Sequence, residues 1–179
     1  MTRLPIVLAC LLLALFAVAC GDDSEDEAAA PQETATATAE PAAPGSVDAS
    51  AISKDLSAKP KIAQPKGAPP TKLVKTDIVK GKGRAAKVGD TVSVQYVGNS
   101  WSTGTQFDAS WDRGGEPFEF PLGAGQVIAG WDQGVAGMRP GGRRLLVIPP
   151  DLAYGAQSPS PDIGPNETLI FVVDLKKIS

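Results

Sequence analysis

The chain has 179 residues, with 20 acidic and 17 basic side chains, two cysteines and no histidine. Without histidine there is no Ser-His-Asp or Cys-His nucleophile pair, no imidazole base and no His-ligated metal; two cysteines make neither a Cys₄ zinc site nor a disulfide framework. A net charge of −3 leaves no basic footprint, so nucleic acid is a poor partner, and the length suits one ordinary domain with added segments.

The N-terminus reads Met1-Thr2-Arg3, then a nearly unbroken apolar run from Leu4 to Ala19, then Cys20 and the acidic Asp22-Asp23. A positive start, an apolar stretch and small residues before a cut form an export signal. A spanning helix needs roughly 20 apolar residues; this run is shorter and lacks a basic flank. Ala17-Val18-Ala19-Cys20 resembles the lipobox of bacterial lipoproteins, with Ala17 where Leu is more usual. The resemblance implies that residues 1–19 are removed and that Cys20 is acylated, anchoring the chain to the outer face of the cytoplasmic membrane. Secretion with Cys20 as a free thiol is the alternative. On either reading Cys10 is discarded.

Residues 20–70 hold no aromatic residue and carry nine acids against four bases. An Ala, Pro, Thr and Ser mixture of this kind buries too little apolar surface to offset the entropy of ordering, so a disordered tether is expected. Fifty such residues would reach about 40 Å. The acidic run from Asp22 to Glu27 lacks the glycine and alternating spacing of a calcium loop.

Residues 71–179 contain 16 of the 19 glycines and read as short strands broken by turns. Thr71 to Val79 is a first strand. In Thr91 to Val97, residues Val92, Val94 and Tyr96 alternate with Ser93, Gln95 and Val97, as in a strand with one wet side. Phe118 to Phe120, Arg143 to Ile148 and Thr168 to Leu175 are further strands, while Val127, Trp131 and Val135 form a helical stripe between Gln126 and Met138. The expected fold class is α+β: an antiparallel sheet packed on one helix. Phosphate-loop spacings fail at Gly123-Ala124-Gly125 and at Gly141-Gly142. Asp108 and Asp112 lie four apart in an irregular stretch and do not define a carboxylate pair. Ten large residues stand out instead, among them Tyr96, Phe107, Phe118, Trp131, Tyr154 and Phe171. On the plainest reading they are simply the core, yet ten are many for one helix and one sheet, and some can line an apolar pocket. Trp101 and Trp111 are candidates for apolar rim surface, or equally for lone surface aromatics.

Eight strings then occur in one order: Gln95-Tyr96-Val97-Gly98, Phe107-Asp108-Ala109-Ser110, Pro117-Phe118-Glu119-Phe120, Gln126-Val127-Ile128-Ala129-Gly130-Trp131, Gly141-Gly142-Arg143-Arg144, Ile148-Pro149-Pro150, Leu152-Ala153-Tyr154-Gly155 and Leu169-Ile170-Phe171. In content and spacing, residues 71–179 resemble the FKBP-type peptidyl-prolyl cis/trans isomerases. The resemblance implies a curved antiparallel sheet wrapped around one short helix, with a pocket between them. It places Trp131 as the floor under a substrate proline, and Tyr96, Phe107, Phe118, Val127 and Phe171 as walls. Tyr154 and the Ile128 amide are then donors to a carbonyl, Asp108 orients the ligand through Tyr96, and Ile163 lies on the rim. Substrates implied are X-Pro bonds of exported polypeptides, with the macrolides tacrolimus and rapamycin as ligands; no cofactor or metal is required and a monomer is expected. One departure is Ser158-Pro159-Ser160-Pro161, whose prolines stiffen the pocket lip. A tethered peptide-binding or chaperone module with little turnover is the rival from another class.

Overall fold

In the computed structural model, residues 45–179 are described; the expected signal (1–19), Cys20 and the first half of the tether lie outside them. Six strands form one antiparallel sheet: β1 (Val74–Val79), β2 (Thr91–Ser100), β3 (Gln106–Ala109), β4 (Phe118–Pro121), β5 (Gly142–Ile148) and β6 (Leu169–Ile178). The spatial order is β1-β5-β6-β2-β3, with β4 also paired to β2. One edge of β2 is thus shared, its first half by β4 (Val94 opposite Phe118) and its second by β3 (Gly98 opposite Asp108). Between them the Ser110 hydroxyl takes the Tyr96 N–H at 2.9 Å, so β2 passes from one partner to the other without an orphaned amide. Register shifts at Asp77/Val79, Ser93/Val94 and Gly98/Asn99 mark bulges, the usual device for bending a sheet. The α+β architecture expected from the sequence is the one found, and β3 is an added strand where the sequence suggested irregular chain.

The only α-helix among the described residues, α1 (Ala129–Val135), is shorter than its apolar stripe. Asp132 on its first turn accepts the N–H groups of Gly123 (2.7 Å) and Gly125 (3.2 Å), holding residues 123–128 as a loop. Gly130 and Gly134 face β5: a Cβ on Gly130 would lie 2.3 Å from Ile148, and one on Gly134 2.7 Å from Leu146. Their bare backbone lets α1 settle close to the sheet. Trp131 and Val135 then join Val92, Val94, Tyr96, Phe120, Leu146, Ile148, Phe171 and Val173 in the main core.

The other face of the sheet is covered as well. Leu145, Val147, Ile170 and Val172 pack with Trp101, Val47 and Ile52 in a second apolar cluster. This corrects three expectations. Residues 45–70 are an ordered strap here, not free tether; β2 is buried from Val92 to Ser100 and has no wet side; and Trp101 belongs to this cluster, not to a pocket rim. The strap needs few apolar anchors because Pro60, Pro65 and Pro70 are buried along it, and fixed proline dihedrals reduce the entropy lost on docking. Its ends meet where Ser46 and Lys66 exchange backbone hydrogen bonds of 3.0 and 3.2 Å. Arg143, fully buried, forks onto Asp174 through two 2.6 Å bonds and gives two of its three remaining N–H groups to the carbonyls of Ser53 (2.5 Å) and Ala58 (3.2 Å).

Candidate functional site

Between α1 and the concave face of the sheet lies a cavity of about 440 Å³ lined by aromatic and aliphatic side chains. Trp131, on the first turn of α1 and only 4% exposed, forms its floor. Three neighbours hold the indole edge-on: Tyr96 at 5.0 Å between ring centroids, Phe171 at 5.2 Å and Phe118 at 6.2 Å. Such edge-to-face contacts fix ring orientation beyond what area burial does.

The walls follow from strand register. Asp108, Gly98 and Phe171 sit side by side on β3, β2 and β6. A Cβ on Gly98 would lie 2.7 Å from both the Phe107 and Phe171 rings, so its absence lets those rings meet at 5.5 Å. Phe118 comes from the start of β4, while Val127 and Ile128 arrive on the loop that Asp132 tethers to α1.

The polar groups gather on one side. Tyr96 donates its hydroxyl hydrogen to Asp108 and accepts one from Arg113 at 2.7 Å. Arg113 also pairs with Asp108, and its guanidinium stands 5.6 Å from the Tyr96 ring centroid. Burial first, then the bond to the Asp108 carboxylate, pushes the Tyr96 phenol up to about 12. It stays a neutral donor at any physiological pH. Tyr154 is 38% exposed at the mouth of the cavity; burial of part of its ring, then the charge of Asp108, raises its phenol as well. Its hydroxyl and the Ile128 amide N–H have no acceptor among the described residues.

Nine of the ten pocket residues expected from the sequence line this cavity: Asp108, Tyr154, Ile128, Trp131, Tyr96, Phe107, Phe118, Val127 and Phe171. Ile163 does not. The Ser158 hydroxyl donates to the Ile163 carbonyl at 2.5 Å and folds the loop back, so the Ile163 side chain, 4% exposed, enters the main core instead of the rim. Trp111 is half-buried and lies outside the cavity lining. Gly125 and Gln126 add to the lining, and Arg113 completes the polar network. The signal for Arg113 is its position: a lone cation five residues after Asp108, at the end of the turn that follows β3.

The arrangement offers an apolar aromatic surface beside hydrogen-bond donors. An apolar ring fits over Trp131, and a carbonyl beside it can take hydrogen bonds from Ile128 and Tyr154 while aromatic walls exclude water.

Comparison with known proteins points the same way. The family model described as FKBP-type peptidyl-prolyl cis-trans isomerase matches residues 82–176. The FK506-binding protein of Streptomyces anulatus is 58% identical over 118 residues, covering 65% of this chain and 94% of that protein. A probable FK506-binding protein of Corynebacterium glutamicum is 46% identical over 117 residues, covering 65% and 96% respectively. Among solved structures, FkpA from Escherichia coli superposes with a TM-score of 0.54 at 45% identity, covering 60% of this chain and 48% of that one.

Proposed function

The chain belongs to the FKBP-type peptidyl-prolyl cis-trans isomerase family, and from that premise we propose how its cavity turns X-Pro bonds over and where it does so. The observation that carries the reading is the Trp131 floor, walled by Tyr96 and Phe171, beside two donors that the fold leaves without acceptors. A substrate proline stacks on Trp131. The carbonyl preceding or following it accepts from the Ile128 N–H and the Tyr154 hydroxyl.

Rotation about an X-Pro bond needs no bond made or broken, only relief of an amide resonance barrier of about 18–20 kcal/mol. The planar amide carries more charge on oxygen than the twisted one and loses more hydration on entering an apolar pocket. The pocket therefore binds the twisted state more tightly than the ground state. A 10⁵-fold acceleration corresponds to about 7 kcal/mol of such differential binding. No histidine is needed for any step, in keeping with its absence from the chain. The same floor and donors suit a macrolide that presents a proline-like ring and adjacent carbonyls, such as tacrolimus or rapamycin. The loop Ser158 to Pro161 modulates that affinity.

The working site is extracytoplasmic. Supporting this are the apolar run Leu4 to Ala19 and the small residues before Cys20, whose acylation would hold a monomeric enzyme to the membrane and within reach of exported polypeptides. The decisive measurement is isomerisation of a short X-Pro peptide by residues 45–179, compared with Tyr154→Phe. A rate no higher than the uncatalysed one would overturn the enzyme and leave a binding module. Mass spectrometry of the native N-terminus tests the anchor: an unmodified Cys20 or a retained Met1 would refute it.

A further inference from the structure

Residues 45–70 precede the segment matched by the family model, yet one of their side chains reaches the turn that carries Arg113. Lys59 donates to both carboxylate oxygens of Asp112, at 2.6 and 2.8 Å. Asp112 ends the 3₁₀ turn Ser110–Asp112 and is also bound by Gln106 of β3 at 2.7 Å. The next residue is Arg113, which holds the Tyr96 hydroxyl and Asp108.

The strap is fixed on both sides of Lys59. The Ala58 carbonyl is bound by the buried Arg143 guanidinium, and Pro60 is itself buried. Farther back, Ile52 is 2% exposed in the second apolar cluster. The backbone that presents Lys59 is therefore set before the ion pair forms, which removes part of the entropic cost that makes most exposed pairs weak.

We propose that the strap positions the site: Lys59 holds the Ser110–Asp112 turn and, through it, the Arg113 guanidinium that fixes Tyr96 and Asp108. Lys59 is a positioning residue that touches no substrate. The inference rests on the isomerase reading of the cavity. It extends the working domain back to residue 45 and gives the segment next to the tether a direct connection to the chemistry.

The test uses the full chain and a short X-Pro peptide. Because the Lys59 and Asp112 side chains are 36% and 52% exposed, the leverage is modest, and Lys59→Ala should lower kcat/KM about two- to fivefold. Lys59→Arg should restore it. In an Arg113→Leu background Lys59→Ala should have no further effect, and about 1 M salt, with its short screening length, should bring the wild type towards the Lys59→Ala rate. Ile52→Asp should undock the strap, lower kcat/KM at least as far, and expose the Ser46 and Lys66 amides to hydrogen exchange. Wild-type kcat/KM in Lys59→Ala, or an equal loss with and without Arg113, would overturn the proposal. A wild type with no isomerase activity would instead overturn the reading of the cavity. The positioning role would then be decided by the Arg113 side-chain ¹⁵N signal, which broadens in Lys59→Ala if Lys59 holds the turn and is unchanged if it does not.

Discussion

The polar side of the cavity can be interrogated with a single titration. The chain has two tyrosines, Tyr96 and Tyr154, so Tyr154→Phe leaves Tyr96 as the only phenol and its ionisation readable by ultraviolet difference absorbance. Tyr96 is 7% exposed and sits between Asp108 and Arg113, which act on it in opposite senses. Burial and the Asp108 carboxylate disfavour the phenolate and hold the group up to about 12; the Arg113 cation favours it. Asp108→Asn keeps the shape and the hydrogen-bond acceptor but removes the negative charge, so the Tyr96 pKa must fall. Burial is the larger cause and persists, so the new value should lie between about 12 and the unperturbed value near 10. The same substitution weakens a charge-assisted bond of about 1.5–3 kcal/mol. With the Asp108 side chain 39% exposed, the lower end applies, and kcat/KM for an X-Pro peptide should drop about tenfold in the otherwise wild-type chain. A Tyr96 titration that stays at about 12 would show that Asp108 does not govern the hydroxyl. An unchanged kcat/KM would remove Asp108 from the machinery.

Two predictions concern the scaffold. Arg143→Met strands the Asp174 carboxylate, 2% exposed, without its cation, and should cost about 3–5 kcal/mol in urea unfolding, most of it recovered when Asp174→Leu is added; a loss below about 1 kcal/mol would mean that water reaches the pair. Gly130→Ala puts a methyl 2.3 Å from Ile148 Cγ2 and 2.8 Å from its Cδ1, so α1 must lift from β5 at about 1–3 kcal/mol, with Trp131 fluorescence shifting as the floor moves. Ile148→Val in the same chain should relieve part of the cost, and an unaltered unfolding midpoint would contradict the close packing.

The site was far more legible than its surroundings. Residue type and spacing alone leave the aromatic side chains open to core or pocket; the eight ordered strings, and the family resemblance they carry, single out Trp131, Tyr96, Phe118 and Phe171, which strand register brings together around the cavity. Ile163 was misplaced for a different reason. Its apolarity suits a rim or a core equally, and the choice is made by the Ser158 hydroxyl bonding back to the Ile163 carbonyl, a contact within a loop that no periodicity records. Phe107 and Asp108 looked irregular because β3 is only four residues long, too short for alternation to be read.

The strap was missed because its own composition says coil, yet the strands it covers carry the clue. Leu145 to Ile148 and Leu169 to Val173 are unbroken apolar runs, and a strand that buries alternate residues on a single face shows alternation instead. One helix covers only one face of a sheet. Leu146, Ile148, Leu169, Phe171 and Val173 pack in the core that contains α1, whereas Leu145, Val147, Ile170 and Val172 point the other way. Left open to water, that second row would form an apolar patch of the kind soluble domains rarely expose. The remaining sequence that could cover it is N-terminal to β1, where Val47 and Ile52 dock with Ala49 and Ile62 packed beside them. A buried Arg143 on the same face repeats the point, since a guanidinium with zero exposure and a single carboxylate partner still has N–H groups to satisfy. The carbonyls of Ser53 and Ala58 take two of them, which makes the strap a consequence of the sheet's two-sided hydrophobicity.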